Sequence, residues 1–543
     1  MSALSQQGRP KLKTEISAPT KKEWGALAIL AASLGVIVLD GTIVGVALPQ
    51  IIGDLKLVLT DAQWVNSLYA VIVGALLLVS GSTSDQFGRR KLLIAGLGIF
   101  VAGSALAGAA SSATSLLAGR AIQAVGAAGI MPSTLSTVNA LFRGKYRAAA
   151  FGVWGGMISG AAAIGPLLGG VLTEWVSWRW IFYVNLPIGL ILGLLALKVV
   201  PETRSARRGR FDVVGFVLSS VALGSLVFSI IEGPHVGWWK PIADFDFLGI
   251  TWSLDSATSV VPISLGVAAV ALIAFIAWEL HLANVGKSPL LDLSMFKIAT
   301  FSWGNLTASM VAIGEFALLF VLPLYLINAY GTSVIKAGLI LAAMALGAFV
   351  SGGLARFIAG WIGSPGTVIL GLTLELIGVG ALAFLMDPAH SLWYLTVPLV
   401  VYGFGLGLAS AQLTGTVLRD VPVEHSGQGS ATQSTFRQVG SALGTAFSGG
   451  ALAVGLSRAL PDALSGLGLP DDAASGIVEA TKASAGSNLP QMRAEFGEGS
   501  DVIHSLVEGF AQATQASFWV SAVFLGVGLL GAIMVWNVAR REG

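Results

Sequence analysis

Five ionisable residues lie well inside apolar segments of the sequence: Asp40, Arg120, Glu315, Glu375 and Arg437. At the centre of a lipid bilayer each charge would cost at least about 2.5 kcal/mol unless it were paired or hydrated. We therefore expect these side chains to face one another or a cavity. A carboxylate that faces an arginine stays ionised until a proton competes for it, so it can take up a proton on one side and release it on the other. Such residues suit proton-coupled transport.

Depth along the predicted helices decides which of these charges can pair. Asp40 and Arg120 lie about nine and six residues from the outer ends of their helices, which at about 1.5 Å per residue predicts a contact, direct or through water. Glu375 and Arg437 match each other near the middle, either as a coupling pair or as a packing contact. Glu315 has no basic residue at its level. It is the best candidate to bind a proton or a cationic substrate, and a water-facing spectator is the alternative.

The composition is that of a membrane protein. Of the 543 residues, 55% are hydrophobic and 11% are charged, whereas a soluble domain carries roughly 25% charged residues. The 69 glycines suit close helix packing in lipid. Cysteine is absent, which excludes disulfides, thiolate chemistry and Cys-ligated metals. A net charge of +2 gives no reason to expect a nucleic-acid partner.

Apolar runs of about 20 residues, each long enough to span a bilayer, recur along the chain. The sequence predicts fourteen of them, near 24–49, 62–82, 91–111, 114–141, 149–173, 180–200, 213–232, 259–279, 300–328, 334–358, 366–386, 392–416, 427–456 and 514–537. An even number places both termini on one side.

The distribution of Lys and Arg predicts which side that is. With the N-terminus inside, 22 of the 31 basic residues fall on cytoplasmic segments, seven on external loops and two within the membrane. Cytoplasmic loops hold most Lys and Arg in membrane proteins. We therefore expect both termini in the cytoplasm, with 1–23 a cytoplasmic tail rather than a signal peptide.

Two predicted external loops are long. The loop 233–258 contains Trp238, Trp239 and Trp252, residues that suit a membrane interface. The loop 457–512 holds eight acidic and three basic residues and is rich in Ala, Ser and Gly. Its composition favours a solvated linker over a partly ordered cap.

A short motif joins the second and third predicted helices. It contains Gly81, Asp85, Gly88, Arg89 and Arg90, in which glycines permit tight contact and a turn, and the aspartate can cap a helix or pair with an arginine. This pattern resembles the loop signature of the major facilitator superfamily, which implies a role in gating.

Other segments resemble one branch of that superfamily, the fourteen-helix drug:proton antiporters. Segments 39–49, 119–126 and 178–189 are similar to motifs of the first, fourth and sixth helices, with Gly45 replacing the usual Asn. The fifth helix resembles the antiporter motif of the branch through Gly152, Gly165, Pro166, Gly169 and Gly170. Weaker second-half copies at 352–360 and 437–444 agree with a duplicated six-helix unit.

The resemblance implies an all-α integral membrane protein with the major facilitator fold. Its parts would be a bundle at 24–200, two inserted helices with linkers at 201–299, a second bundle at 300–537, and a tail at 538–543. It implies a monomeric multidrug efflux antiporter of the bacterial plasma membrane that binds protons and hydrophobic, cationic or amphipathic molecules and uses the proton gradient, with no cofactor. An exporter of one lipid, siderophore or self-made antibiotic is the alternative.

Several polar and aromatic residues could line an apolar substrate cavity. Aromatic rings can hold flat cations, although such residues more often pack against protein or lipid. The candidates are Trp64, Tyr69, Gln123, Trp154, Phe316 and Tyr325.

Motifs typical of enzymes and ATP-driven pumps are incomplete in this sequence. None of the five histidines forms an HExxH zinc pair, and the phosphate-loop mimic at 286–288 has His281 in place of the first glycine. We therefore predict a secondary transporter rather than an enzyme or an ATP-driven pump. A channel or a sensor is disfavoured because duplicated halves favour alternating access.

Overall fold

The computed structural model describes residues 18–142, 145–203, 212–247, 250–287, 289–422, 426–465, 467–497 and 499–541. For 78–79, 81–87, 426–427 and several positions in 145–163 the backbone alone is described. Most of the predicted tail 1–23 and the final two residues of the tail 538–543 lie outside these residues.

The first half consists of long helices that follow the predicted apolar runs. In lipid a spanning segment must satisfy its backbone hydrogen bonds internally, so such runs form helices. Thr20 and Ser112 begin two of them with capping boxes. The helices are α1 (Lys21–Leu55), α2 (Leu59–Phe87), α3 (Arg89–Gly108), α4 (Ala113–Leu141), α5 (Lys145–Trp175), α6 (Trp180–Tyr183) and α7 (Asn185–Val199), the last two making one span.

The inserted segment forms two helices and a small hairpin. Helix α8 (Val213–Val236) and helix α9 (Val260–Asn284) pack against each other. Between them, β1 (Phe245–Phe247) pairs antiparallel with β2 (Ile250–Trp252). Helix α8 also packs on α2, so the inserted pair lies beside the first half.

The second half contains the longest helix of the described residues. Its elements are α10 (Ala299–Pro323), continued by a π-helical turn (Leu324–Ala329), α11 (Val334–Leu385), α12 (Thr396–Val417), α13 (Ser426–Leu464), α14 (Asp471–Ala483), α15 (Leu489–Phe496) and α16 (Asp501–Arg541), with 3₁₀ turns at Leu293–Lys297 and Leu392–Leu395. Gly363, at φ 77° just before Pro365, breaks α11 into two spans.

The helices are consistent with fourteen spans. Among the described residues, ten helices are long and apolar enough to cross a membrane, and one of these is the broken α11. Helices α2, α4 and α5, of 29, 29 and 31 residues, exceed the roughly 20 residues that a bilayer requires.

The start of α1, the end of α4 and the end of α7 lie on one face of the bundle, which we call the terminal face. There Trp24 packs on Phe142, with ring centroids 5.3 Å apart. The Arg89 amide donates to the Thr203 carbonyl. Since consecutive spans run antiparallel, fourteen spans return the C-terminus to this face.

The preference for a solvated linker at 457–512 is wrong. Helices α14 and α15 lie there, and α16 begins at Asp501. The Asn328 side chain donates to the Ala485 carbonyl at 3.0 Å, and Arg493 donates to the Ala329 carbonyl. Leu489 is fully buried. These contacts make the segment an ordered cap on the face opposite the termini.

The two halves meet through two seams. Helix α5 packs on the first part of α11, and helix α2 packs on α13. In the first seam a Cβ on Gly338 would come within 2.6 Å of the Pro166 carbonyl oxygen, so glycine permits the close approach. The inserted helix α8 contacts both α2 and α13 and therefore lies along the second seam.

Candidate functional site

The predicted contact between Asp40 and Arg120 is present. Arg120 Nη1 donates to Asp40 Oδ2 at 2.5 Å, and the two residues are 1% and 0% exposed respectively. Asp40 lies in the middle of α1 and Arg120 in the first half of α4. The contact is a direct, dry ion pair rather than a water-mediated one.

Uncharged side chains complete the surroundings of Asp40. Its Oδ1 atom accepts hydrogen bonds from Gln123 Nε2 at 3.0 Å and Asn185 Nδ2 at 2.9 Å. Both amides also donate to Ser104 Oγ. The network therefore joins α1, α3, α4 and α7 around one carboxylate.

Arg120 is also held from several directions. Its Nε donates to the Val65 carbonyl at 3.2 Å, and its Nη1 donates to Gln123 Oε1 at 3.2 Å. Its Cζ lies 4.3 Å from the centroid of the Tyr69 ring, a cation–π contact. Burying two charges is favourable only when the geometry is good and the remaining atoms are hydrogen-bonded. These contacts meet that condition.

Two members of this network had no role in the sequence prediction. Asn185 belongs to the sixth-helix motif and is fully buried, as is Ser104. An amide side chain inside an apolar span is a signal in the sequence that could have pointed to Asn185. No comparable signal in the sequence points to Ser104. Gly45, which replaces the usual Asn of the first-helix motif, lies against α10, and a Cβ there would come 3.2 Å from the Leu319 carbonyl oxygen.

The predicted pairing in the second half is wrong. Arg437 Nη2 lies 3.5 Å from Glu315 Oε2, so Glu315 is not alone and Arg437 does not pair with Glu375. The reason is helix adjacency, because α10 packs on α13 while the second part of α11 packs on α12. The Arg437 side chain is 44% exposed and that of Glu315 15%, so this pair borders open space.

Glu375 lies in a second buried site. It is fully buried, and neither carboxyl oxygen has a hydrogen-bond partner among the described residues. The hydroxyl of Tyr402, which is also fully buried, has none either. Gly378 of α11 and Gly405 of α12 allow these two helices to approach closely at this site. An isolated buried carboxylate is costly, so this position suits a protonated acid.

The antiporter motif of α5 forms contacts between helices. A Cβ on Gly169 would lie 3.0 Å from the Ile43 carbonyl oxygen, and one on Gly170 would lie 3.1 Å from Ile335 Cα. The motif therefore joins α1 of the first half to α11 of the second. Nothing beyond the backbone is described at Gly152.

The loop motif connects the start of α3 to the segment that follows α7. Gly88 has φ 107°, and the Arg90 amide donates to Glu202 Oε1 at 3.2 Å. Arg90 Nε lies 3.9 Å from Glu202 Oε2, and Arg89 Nη1 donates to the Ser136 carbonyl at 3.1 Å. Gly81 and Asp85 lie outside the residues whose side chains are described.

The six cavity candidates are dispersed. Gln123 and Tyr69 belong to the ion-pair network, and Tyr325 is 1% exposed within the hydrophobic core, which agrees with the packing role that the sequence left open. Trp64 Nε1 donates to Glu232 Oε1 at 2.9 Å on α8. Trp154 and Phe316 are half-buried.

Two helical halves of spanning helices, with a buried ion pair in the first half, are typical of a secondary membrane transporter. The sequence model of the Major Facilitator Superfamily matches residues 30–445. The chain belongs to this superfamily and is a transporter rather than an enzyme.

Several relatives are named as resistance or efflux proteins. The chain is 31% identical over 447 residues to the multidrug resistance protein Stp of Mycobacterium tuberculosis (strain CDC 1551 / Oshkosh), covering 80% of this chain and 79% of that protein. It is 34% identical over 437 residues to the puromycin resistance protein pur8 of Streptomyces alboniger, covering 78% and 81%. It is 30% identical over 527 residues to the multidrug efflux pump LfrA of Mycolicibacterium smegmatis, covering 96% and 97%.

Solved structures share the fold. A bacterial homologue of the human lysosomal transporter Spinster, crystallised in an inward-facing and occupied conformation, matches with a TM-score of 0.59 at 17% identity, covering 96% of this chain and 98% of that one. Its unoccupied inward-facing form matches with a TM-score of 0.60 at 18% identity, covering 96% and 99%.

Proposed function

We propose that this chain exports hydrophobic, cationic or amphipathic small molecules across the bacterial plasma membrane in exchange for protons. The observation that carries the proposal is the dry Asp40–Arg120 pair, since a buried carboxylate with one cationic partner can alternate between a charged and a neutral state. The names of the relatives Stp, pur8 and LfrA support the substrate class.

Protonation of Asp40 would remove the charge that holds Arg120. The arginine would keep its bonds to the Val65 carbonyl and the Gln123 amide oxygen, while the neutral acid could still accept from Asn185. The two states therefore differ mainly in one ion pair. A proton that binds one state better shifts the equilibrium between them.

The position of Asp40 connects this event to the seam between the halves. Five residues further along α1, Gly45 touches α10, and Thr42 lies against Gly165 of α5. Helix α5 in turn packs on α11. A shift of α1 that follows proton binding would therefore reach the contact of α1 with α10 and the contact of α5 with α11. Both contacts join the two halves, and both must separate for the face opposite the termini to open.

Energetics favours more than one proton per cycle. One proton moving down about 100 mV releases about 2.3 kcal/mol, which corresponds to a roughly fifty-fold gradient. Glu375, buried without a described donor, and Glu315 beside Arg437 are the candidates for a second site.

The terminal face is the cytoplasmic one in this proposal. The bias of Lys and Arg toward that face supports it. Substrate and proton would then move in opposite directions through the same central region, with no cofactor and with one chain as the unit.

Export of a single antibiotic is the second candidate. The name of pur8, a puromycin resistance protein at 34% identity, favours it over the lipid and siderophore alternatives. The two candidates share a mechanism and differ in the range of substrates.

The test uses purified full-length protein in liposomes with an imposed pH gradient. Uphill movement of a lipophilic cationic dye, or of puromycin, should require the gradient and stop when a protonophore collapses it. Movement of both compounds supports the multidrug function, and movement of puromycin alone supports the second candidate. Uphill transport that persists without a gradient would contradict proton coupling.

A further inference from the structure

Two acidic side chains meet where the inserted helices approach each other at the terminal face. Asp212 caps the start of α8, its Oδ1 accepting from the Gly215 amide at 3.0 Å and from Trp278 Nε1 at 2.9 Å. Glu279 lies near the end of α9, is 1% exposed, and accepts from the Leu291 amide through Oε2 at 3.1 Å. One oxygen of each carboxyl group is therefore satisfied.

The remaining oxygens, Asp212 Oδ2 and Glu279 Oε1, face each other. Both are buried, and neither has a hydrogen-bond donor among the described residues. Both oxygens lie against the same point beside Gly215, so the two carboxyl groups are close neighbours. A Cβ on Gly215 would overlap both oxygens, so glycine leaves the space in which they meet.

We propose that Asp212 and Glu279 bind one proton between them, forming a proton site separate from Asp40. Two ionised carboxylates at hydrogen-bonding distance repel each other, and a proton shared between them replaces that repulsion with a hydrogen bond.

The surroundings offer little else to neutralise the pair. A small apolar cluster that contains Phe275 of α9 and Leu290 of the following linker lies in the same part of the chain. Asp212 is the described charged group that acts on Glu279, and His281 on the same helix is exposed. The arginines at 204–211 lie outside the described residues and are tested below.

The pair joins three parts of the chain. The Leu291 amide, which donates a hydrogen bond to Glu279, belongs to the linker between α9 and α10. Gln428 of α13 reaches the same linker, its Nε2 lying 3.4 Å from the Pro289 and Leu290 carbonyl oxygens. The proton therefore controls how closely the start of α8 approaches the end of α9, to which the linker is attached. A rise in pH at the terminal face would loosen α8 from α9.

Because the chain has no cysteine, a pair of spin labels can measure the effect in the full-length protein. Labels at Val214→Cys and Val285→Cys, both on exposed positions, report the distance between the ends of α8 and α9. In lipid nanodiscs we expect a narrow distance distribution at low pH that broadens as pH rises.

Two amide variants mimic the protonated pair. In Glu279→Gln the new amide can donate to Asp212, and in Asp212→Asn it can donate to Glu279 while the cap is kept. Both variants should give the narrow distribution at every pH. Asp255→Asn, at an exposed loop position, is the control and should keep the response of the unmodified protein.

Two outcomes would overturn the proposal. One is a distribution in the unmodified pair that does not change with pH. The other is a narrow distribution at high pH that both amide variants broaden, which would assign a cationic partner, such as an arginine of 204–211, to the site. The Asp40→Asn variant with the same labels should keep the pH response, so failure of proton coupling at Asp40 is distinguishable.

Discussion

Replacing Arg120 with methionine would leave the Asp40 carboxylate buried with only two amide donors. The variant loses the contact to Asp40 at 2.5 Å and the bonds to Val65 and Gln123. Removing one partner of a buried ion pair costs about 3–5 kcal/mol because a buried charge is left uncompensated. We expect the free energy of unfolding to fall by about that amount.

A double-mutant cycle isolates the interaction. In Asp40→Asn with Arg120→Met both charges are gone, so the loss should be smaller than the sum of the two single losses, with a coupling energy of about 2–3 kcal/mol. The pair of Glu315 and Arg437 is the matched comparison. The Arg437 side chain is 44% exposed, so its cycle should give less than about 1 kcal/mol.

Unfolding by a denaturing detergent, followed in mixed micelles for all variants, measures both cycles. If the losses in the two single variants add up to the loss in the double variant within about 0.5 kcal/mol, the reasoning is refuted. That result would mean that the two charges do not stabilise each other.

Further predictions concern the loop motif and the topology. Gly88→Ala should destabilise the protein, because Gly88 has φ 107° and a Cβ would lie 2.5 Å from a carboxylate oxygen of Glu202. Thermal unfolding measures the loss of stability. Gly98→Ala is the control and should leave the stability unchanged, because a Cβ there would have nothing within 4 Å. Asp85→Asn should fold normally and slow transport by loosening the gate, so an unchanged rate would reduce Asp85 to a helix cap. A cysteine at Lys22 should resist an impermeant reagent added to intact cells while one at Asp255 reacts, and the reverse pattern would invert the proposed topology.

The sequence was sufficient for the helices and for the first ion pair. Lipid leaves a long apolar run no alternative to a helix, so the predicted spans lie close to the observed ones. Asp40 and Arg120 were matched by depth, and the neighbouring helices α1 and α4 are in contact. Depth was enough in this case because the two helices happen to be adjacent.

Depth failed in the second half, where it could not say which helices touch. Glu375 and Arg437 share a level, yet their helices are not the ones that pack together, and Glu315 on α10 takes the arginine. The cap at 471–496 was missed for another reason. Its helices are polar, and their order comes from contacts such as Arg493 with the Ala329 carbonyl, which composition does not reveal.

The most direct test of the central claim measures protons released when substrate is added to Asp40→Asn in proteoliposomes. The unmodified protein should release protons on addition of a lipophilic cationic dye and should export the dye uphill when a pH gradient is imposed. Asp40→Asn should bind the dye with unchanged affinity, release fewer protons and lose uphill export, because an amide cannot alternate between charged and neutral states. If Asp40→Asn releases protons and pumps as the unmodified protein does, Asp40 does not carry the transported proton, and the coupling site lies in the second half with Glu315 the leading candidate.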